Sequence, residues 1–214
     1  MAQEYFDVLD CRGKKTGEVI AREAAHQTGV WHGAFHCSVV YTRDGRNYVL
    51  FQKRSMEKEV APGKFDVSVG GHYASGEDAR TAGPREIREE IGLEVKFDDL
   101  VPLGRRVGVY CFTPGVREFE FQNVFLLHRP TRLRELVLQQ EELDSVIEME
   151  VDSGIRLFSG KEQSVVCSLQ RTGKPEEQVQ VSAEEFVPTV DNYYLKLLLL
   201  VRRYLQGERE LLVI

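Results

Sequence analysis

Glu86, Glu89 and Glu90 stand at i, i+3 and i+4, a spacing that puts three carboxylates on one face of a helix, a turn apart. Ile87, Ile91 and Ala79 fall round the other side and would face a core, and Gly92 stands where a left-handed cap would end the helix. Like charges at this spacing cost roughly 0.2–0.5 kcal/mol per pair. A hard cation with oxygen ligands turns that cost into a binding site, and one that also holds phosphate oxygens fits magnesium best. The competing reading is a solvated, ion-paired surface helix, since Arg85 lies four residues before Glu89 and Arg88 sits among the carboxylates.

The wider spacing decides between the two. Gly71 is followed after five residues by Glu77, after seven more by Arg85-Glu86-Ile87, then by Glu89-Glu90 and Gly92-Leu93 after gaps of one. Seven fixed identities and two aliphatic positions match by chance in a chain of this length with a probability on the order of 10⁻⁷. The stretch resembles the Nudix box, the signature of hydrolases that split diphosphates linked to another moiety, and every specified position is filled.

Outside the box the chain resembles the Nudix branch related to type I isopentenyl-diphosphate isomerase. The likeness runs from about residue 4 to 151 and rests on FDVLD, AHQTGVWHGAFH, QKRSMEKEVAPGKFDVSVGGH and EFEFQNVF. It implies that Arg54 and Lys58 contact a substrate diphosphate. It also implies that His26, His32, His72, Glu118 and Glu120 form a metal site, with Glu120 acting in proton transfer. Glu118 and Glu120 alternate along a strand and so share a face, and three histidines with two carboxylates make a transition-metal set. Two departures point from isomerisation toward hydrolysis. The isomerase's catalytic cysteine corresponds to Gly70 here, and the box, degenerate in the isomerases, is complete.

The rest of the chain must position these groups. With 214 residues, 42% of them hydrophobic, one compact domain with a sizeable core is the natural size. Net charge is −6, the pI is near 5.5, and no Lys/Arg run stands out, so no nucleic-acid partner is expected. Cys11, Cys37, Cys111 and Cys167 are scattered, as reduced thiols of a cytoplasmic protein would be. The acidic start has no apolar signal region, and no apolar run is long enough to span a bilayer.

Turn and period signals predict a hairpin from 5–9 and 19–21, and a second from 35–41 and 48–52 with Asp44-Gly45 as its turn. Further strands are expected at 65–69, 107–112, 119–127 and 146–151, then an inserted hairpin from 164–169 and 178–181. A final helix over 190–206 carries Tyr194, Leu197, Leu198, Val201 and Leu205 on one stripe. Pro84 either kinks the box helix or restarts it with Gly83 as cap. The expected fold is α/β, a Nudix-type α/β/α sandwich with a mixed sheet, an N-terminal hairpin and a C-terminal helix. Residues 1–34 form the hairpin and lead-in, 35–152 the hydrolase core, and 153–214 the inserted hairpin and terminal helix packed on that core.

The expected activity is metal-dependent pyrophosphohydrolysis of a nucleoside diphosphate derivative or similar small molecule. Glu86, Glu89, Glu90 and the Gly71 carbonyl would hold Mg²⁺ or Mn²⁺. A further carboxylate, Glu120, Glu141 or Glu142, would deprotonate the attacking water, while Arg85 orients a box carboxylate and Glu77 caps or braces the helix start. The alternatives are an isoprenoid-diphosphate isomerase, disfavoured by Gly70, and a catalytically idle diphosphate-binding module. A homodimer is compatible with the sequence and not required by it.

Overall fold

The computed structural model describes residues 3–214. A short hairpin of β1 (Tyr5–Leu9) and β2 (Lys15–Ala21) leads into α1 (Arg22–Thr28) and then β3 (Trp31–Arg43). β3 turns back into β4 (Arg46–Arg54) through Asp44-Gly45, both in the left-handed region at φ 51° and 75°, the twist a two-residue hairpin loop needs. After β5 (Phe65–Val67) and β6 (Val69–His72) comes α2 (Ala79–Ile91), the box helix. β7 (Leu100–Tyr110), β8 (Glu118–His128), β9 (Leu143–Glu150) and α3 (Val151–Phe158) follow. β10 (Ser164–Gln170), β11 (Glu177–Ser182) and α4 (Tyr193–Leu205) complete the order.

The central sheet runs β11-β10-β9-β4-β3-β8-β7, with β5 and β6 added beside β4 and β3. It is mixed: β3 and β8 pair in parallel, and the other pairings are antiparallel. Alternation along the strands builds two cores. Phe35, Cys37, Val39, Leu50, Phe125 and Leu127 face α2 and its Ile87 and Ile91. Val40, Val49, Phe51, Val124 and Leu126 face α3 and α4, where Leu197, Leu198 and Val201 of the terminal stripe are buried. Helices on both faces of a mixed sheet make the expected α/β/α sandwich, with its N-terminal hairpin and C-terminal helix.

Some elements differ from expectation. The 65–69 stretch is two strands, β5 on β4 and β6 on β3. The 164–182 hairpin extends the central sheet through β9. Helices α1 and α3 have no counterpart in the sequence reading. α1 is only seven residues long, too short to show a period, and α3 starts where a strand was expected to be ending. Pro84 does not restart α2: the helix is continuous from Ala79 with Pro84 inside it, and the cost includes one lost bond to the Arg80 carbonyl.

Candidate active site

α2 starts at Asp78, whose side chain accepts from the backbone N–H of Arg80 and Thr81 while the Thr81 hydroxyl bonds back to the Asp78 N–H. Asp78, then, is the cap. Glu77 beside it accepts from the Ala74 N–H and from Nε and Nη2 of Arg85 at 3.0 and 2.7 Å. From that anchor, Nη1 of Arg85 reaches Glu86 Oε1 at 2.8 Å and donates to Glu89 Oε2 at 3.1 Å. Gly92 ends the helix at φ 73° with its N–H on the Arg88 carbonyl.

The three box carboxylates are not equivalent. Glu86 and Glu90 are buried, and burial raises both carboxyls, Glu90 well above the usual range with the Glu86 charge adding to the effect. Glu90 Oε2 accepts from the Gly70 N–H at 3.2 Å. Glu86 lies so close over the strand before the helix that a Cβ at Gly71 would overlap its carboxyl group, so a side chain there would displace Glu86 from this position. Glu89 sits at the rim, held by Arg85 and Arg88. The three box carboxylates therefore do not form as tight a group as the histidine cluster described next.

Among the described residues, two groups bring their ligand atoms within 4.8 Å of one another: His26, His32 and His72, and His72, Glu118 and Glu120. α1 supplies His26, β3 His32, β6 His72, and β8 both glutamates, which project from one face as the alternation predicts. His32 Nδ1 donates to the Val30 carbonyl at 2.9 Å, and His26 Nδ1 lies 3.2 Å from Glu59 Oε2. Each ring thus turns Nε2 inward, and both Nε2 atoms are buried without a hydrogen-bond partner among the described residues. Inward nitrogens with the opposite ring N–H anchored outside are what metal-ligating histidines present.

His72 Nε2 lies 3.0 Å from Glu120 and 3.2 Å from Glu118. Burial alone would lower His72, but the two carboxylates raise it to about 9. Burial alone would raise Glu120, but the His72 hydrogen bond and charge hold it far below the usual range. His32, dominated by burial and by the His72 charge, drops to about 4. A positive centre is what this cluster is built around. By donor set, both the box carboxylates and the histidine cluster fit a divalent cation.

One cavity of about 620 Å³ joins these groups. Glu86, Glu89, Glu90, His72, Glu118 and Glu120 line it, together with Arg54, Lys58 and Glu142. Arg54 is oriented by Nε on the Val60 carbonyl at 2.9 Å and by Asp66 at 3.7 Å, and Lys58 pairs with Glu142. Glu141 is exposed and outside the cavity, so of the two loop carboxylates only Glu142 reaches it. Cys37 is buried, its thiol pushed up by desolvation, whereas Cys111, inside the strand expected over 107–112, lies beyond the end of β7 and is exposed. Of the nearby aromatic residues, Tyr110 lines the cavity, Phe35 is buried in the core and Phe112 is exposed.

The sequence reading missed the far wall: His36, Asp66, Arg106, Gln122, Tyr193 and Tyr194. A signal existed for two of them. His36 shares a β3 face with His32, and Gln122 shares a β8 face with Glu118 and Glu120, by the same alternation already used. Nothing local marks Tyr193 or Tyr194, which arrive from another region of the chain.

With this geometry in view, comparison with known proteins is decisive. The NUDIX domain family model matches residues 30–162, more than half of the chain. An uncharacterized Nudix hydrolase of Clostridium acetobutylicum is 28% identical over 198 residues, 91% of this chain and 95% of that one. An isopentenyl-diphosphate delta-isomerase of Salmonella arizonae is 33% identical over 127 residues, 58% of this chain and 66% of that one. The crystal structure of DR0079 from Deinococcus radiodurans shares the fold, with a TM-score of 0.56 at 21% identity over 74% of this chain and 91% of that one. The chain belongs to the Nudix family, in the branch similar to isopentenyl-diphosphate isomerase. It is a hydrolase of phosphorus-containing anhydrides, from a family that acts on diphosphate linkages in nucleotide derivatives and generally needs divalent metal ions.

Proposed function

We propose that the protein is a Mg²⁺- or Mn²⁺-dependent pyrophosphohydrolase that cleaves the diphosphate of a nucleoside diphosphate derivative in the cavity between α2 and the β3–β8 strand pair. One observation carries the reading: buried Glu86 and Glu90 line the same cavity as Arg54 and Lys58, and that cavity is large enough for more than a diphosphate. Buried carboxylates and paired cations lining one cavity suit a metal-held polyphosphate anion.

Glu86, Glu89, Glu90 and the Gly71 carbonyl would hold the box metal, and His26, His32, His72, Glu118 and Glu120 would hold a second. When bound, such a cation neutralises charge at phosphorus and lowers the pKa of a coordinated water. The chain's own residues do the rest. Arg85, anchored on Glu77, keeps Glu86 and Glu89 in rotamers facing the cavity rim. Arg54 and Lys58 would grip the diphosphate oxygens, Arg54 from a guanidinium already fixed at Nε.

Glu142 is our choice of general base. Both oxygens of Glu120 are engaged, Oε1 near His72 and Oε2 accepting from Gln122, which suits a fixed ligand. Glu142 has one oxygen on Lys58, and no hydrogen bond from a described residue reaches the other. No cysteine lines the cavity among the described residues, and Gly70 occupies the position where the isomerases carry theirs, so the hydrolytic reading is preferred.

The test is a panel of nucleoside diphosphate derivatives, dinucleoside polyphosphates and isoprenoid diphosphates with Mg²⁺ and with Mn²⁺, read by released phosphate or monophosphate. Turnover of a nucleotide derivative that disappears with chelator and with Glu90→Gln supports the proposal. Turnover of none of these compounds with either ion would overturn it.

A further inference from the structure

The family model ends at residue 162, yet the turn that opens α4, some thirty residues later, supplies part of the cavity wall. Three of its four consecutive residues between them hold Arg106, His36 and Asp66 of the matched domain. Asp191 accepts from Arg106 at both ends of the guanidinium, Oδ1 from Nη2 at 2.8 Å and Oδ2 from Nε at 3.3 Å. Tyr193 places its ring under the same guanidinium, 3.9 Å from Cζ to centroid, and its hydroxyl 3.1 Å from His36 Nδ1. Tyr194 donates to Asp66 Oδ1 at 3.0 Å, and the other Asp66 oxygen lies 3.7 Å from Nη1 of Arg54.

Asn192 between them takes a left-handed conformation, φ 54° and ψ 40°, and its side chain makes no capping bond. That conformation is uncommon outside glycine, and it lies between Asp191, which holds the cavity residue Arg106, and Tyr193, which lines the cavity itself.

From Asp191 the contacts continue inward without a break. Arg106 Nη1 donates to Gln122 Oε1, and Gln122 Nε2 donates to Glu120 Oε2 at 2.5 Å. Gln122 can lie across β7 only because residue 108 is glycine, since a Cβ there would come within 2.6 Å of the Gln122 amide nitrogen. Arg106 and Gln122 are buried, and the amide orientation of Gln122 is dictated from both ends: its oxygen by a guanidinium, its nitrogen by a carboxylate.

We propose that the opening turn of α4 is a working part of the active site, in which Asp191 is a positioning residue that sets Glu120 through Arg106 and Gln122. The segment after residue 162 thereby acts on catalysis and not only on stability. Tyr194 is the second prong, steadying Arg54 through Asp66, so the two prongs divide their effects. Loss of Asp191 acts on turnover, because Glu120 serves the reacting end of the cavity. Loss of the Tyr194 hydroxyl acts on substrate affinity, because Arg54 serves the diphosphate. The inference rests on the hydrolytic reading for its kinetic part and on geometry alone for its structural part.

The experiment compares Asp191→Ala, Asp191→Asn, Arg106→Lys and Tyr194→Phe with two controls outside the cavity, Val190→Ala on the surface and Leu198→Ala in the core under α4. Kinetics use the best substrate of the panel, and each variant is also melted and crystallised. Asp191→Ala should lower kcat by about 10- to 100-fold at nearly constant KM, the scale of a misplaced reacting group. Asp191→Asn should fall between it and the parent, and Arg106→Lys, which lacks the fork, should resemble Asp191→Ala. Tyr194→Phe should raise KM by roughly 2- to 10-fold with kcat kept, the scale of one hydrogen bond. Leu198→Ala should melt lower yet keep kcat per folded molecule, so that a loss of kcat in Asp191→Ala cannot be put down to destabilising α4. In the Asp191→Ala crystal, Gln122 and Glu120 should leave their parental positions. The proposal is overturned if Asp191→Ala keeps kcat within about twofold while folded, or if its crystal shows Gln122 and Glu120 unmoved. A parent protein inactive on the whole panel would instead sink the hydrolytic reading, and the crystal would still decide the relay.

Discussion

Arg85 holds Glu77 in a fork, Nε on one carboxylate oxygen at 3.0 Å and Nη2 on the other at 2.7 Å, and so fixes the one remaining nitrogen between Glu86 and Glu89. A lysine at 85 has one point charge and cannot serve all three. Arg85→Lys should therefore lower turnover by about 10-fold or more without a matching loss of melting temperature, since partly exposed ion pairs contribute roughly 0–1 kcal/mol to stability. Parental kcat in Arg85→Lys would show that the fork does not matter.

Glu90 is buried beside Glu86, and both carboxyls are raised by that burial. Glu90→Gln removes a costly buried charge and a proposed ligand together. Turnover should fall on the order of 10²–10⁴-fold. In chelator, melting should instead rise, by about 2–4 °C for each ~1 kcal/mol relieved in a chain of this size. Near-parental activity at limiting Mg²⁺ would remove Glu90 from the metal set.

The histidine cluster and the box should be separable by metal. Co²⁺ added to the protein should give visible absorption from a nitrogen-containing site. His26→Ala and His32→Ala should lose that absorption, and Glu86→Gln should keep it. Absorption that survives both histidine substitutions would place the cobalt elsewhere.

Isopentenyl diphosphate in D₂O should emerge without deuterium and without rearrangement, because residue 70 has no thiol to offer. Space is not the obstacle: a Cβ at Gly70 would make only ordinary contacts, 3.5 Å from His36 Cδ2 and 3.7 Å from Nε2. Gly70→Cys should accordingly fold normally, with a melting temperature close to the parent's. Deuterium in the product of the parent protein, with no phosphate released, would reverse the assignment of enzyme class.

His36 is held neutral, chiefly by burial, with the Arg106 charge adding to the effect and Asp66 and Glu120 opposing it. Its folded pKa lies below the ordinary 6.5, so below that value the unfolded chain binds the proton more readily than the folded one. The stability from keeping His36 neutral is full above about pH 6.5 and drains away as pH falls. Melting of the parent should decline from pH 7 to 5 more steeply than that of His36→Phe. Parallel declines would show that His36 contributes nothing to acid sensitivity.

How far the sequence carried depended on whether information was local. The box helix, its stop at Gly92 and its buried Ile87 and Ile91 were readable from spacing within one element. So were the pairing of Glu118 and Glu120 on one face and the buried stripe of α4. Asp78 as the cap was overlooked in favour of Glu77, although Asp three residues before Thr81 is a capping signal. α1 is invisible for a different reason. Its seven residues owe their helicity to burial of Ala25 and His26, a tertiary cause. Arg106 and Tyr193 meet from positions 87 residues apart in number, and no pattern within either segment announces the other.

The Asp44-Gly45 turn has a reach beyond its two residues. It aligns Arg43 with Arg46 and, from there, Val40 with Val49, and thus acts as a ruler for the whole of β3. A slip of one place would rotate every β3 side chain to the opposite face. His32 and His36 would then point into the greasy layer beneath α2, and Phe35 would block the catalytic hollow. The alignment of the chemistry at one end of this strand is therefore written, in part, into the glycine at the other.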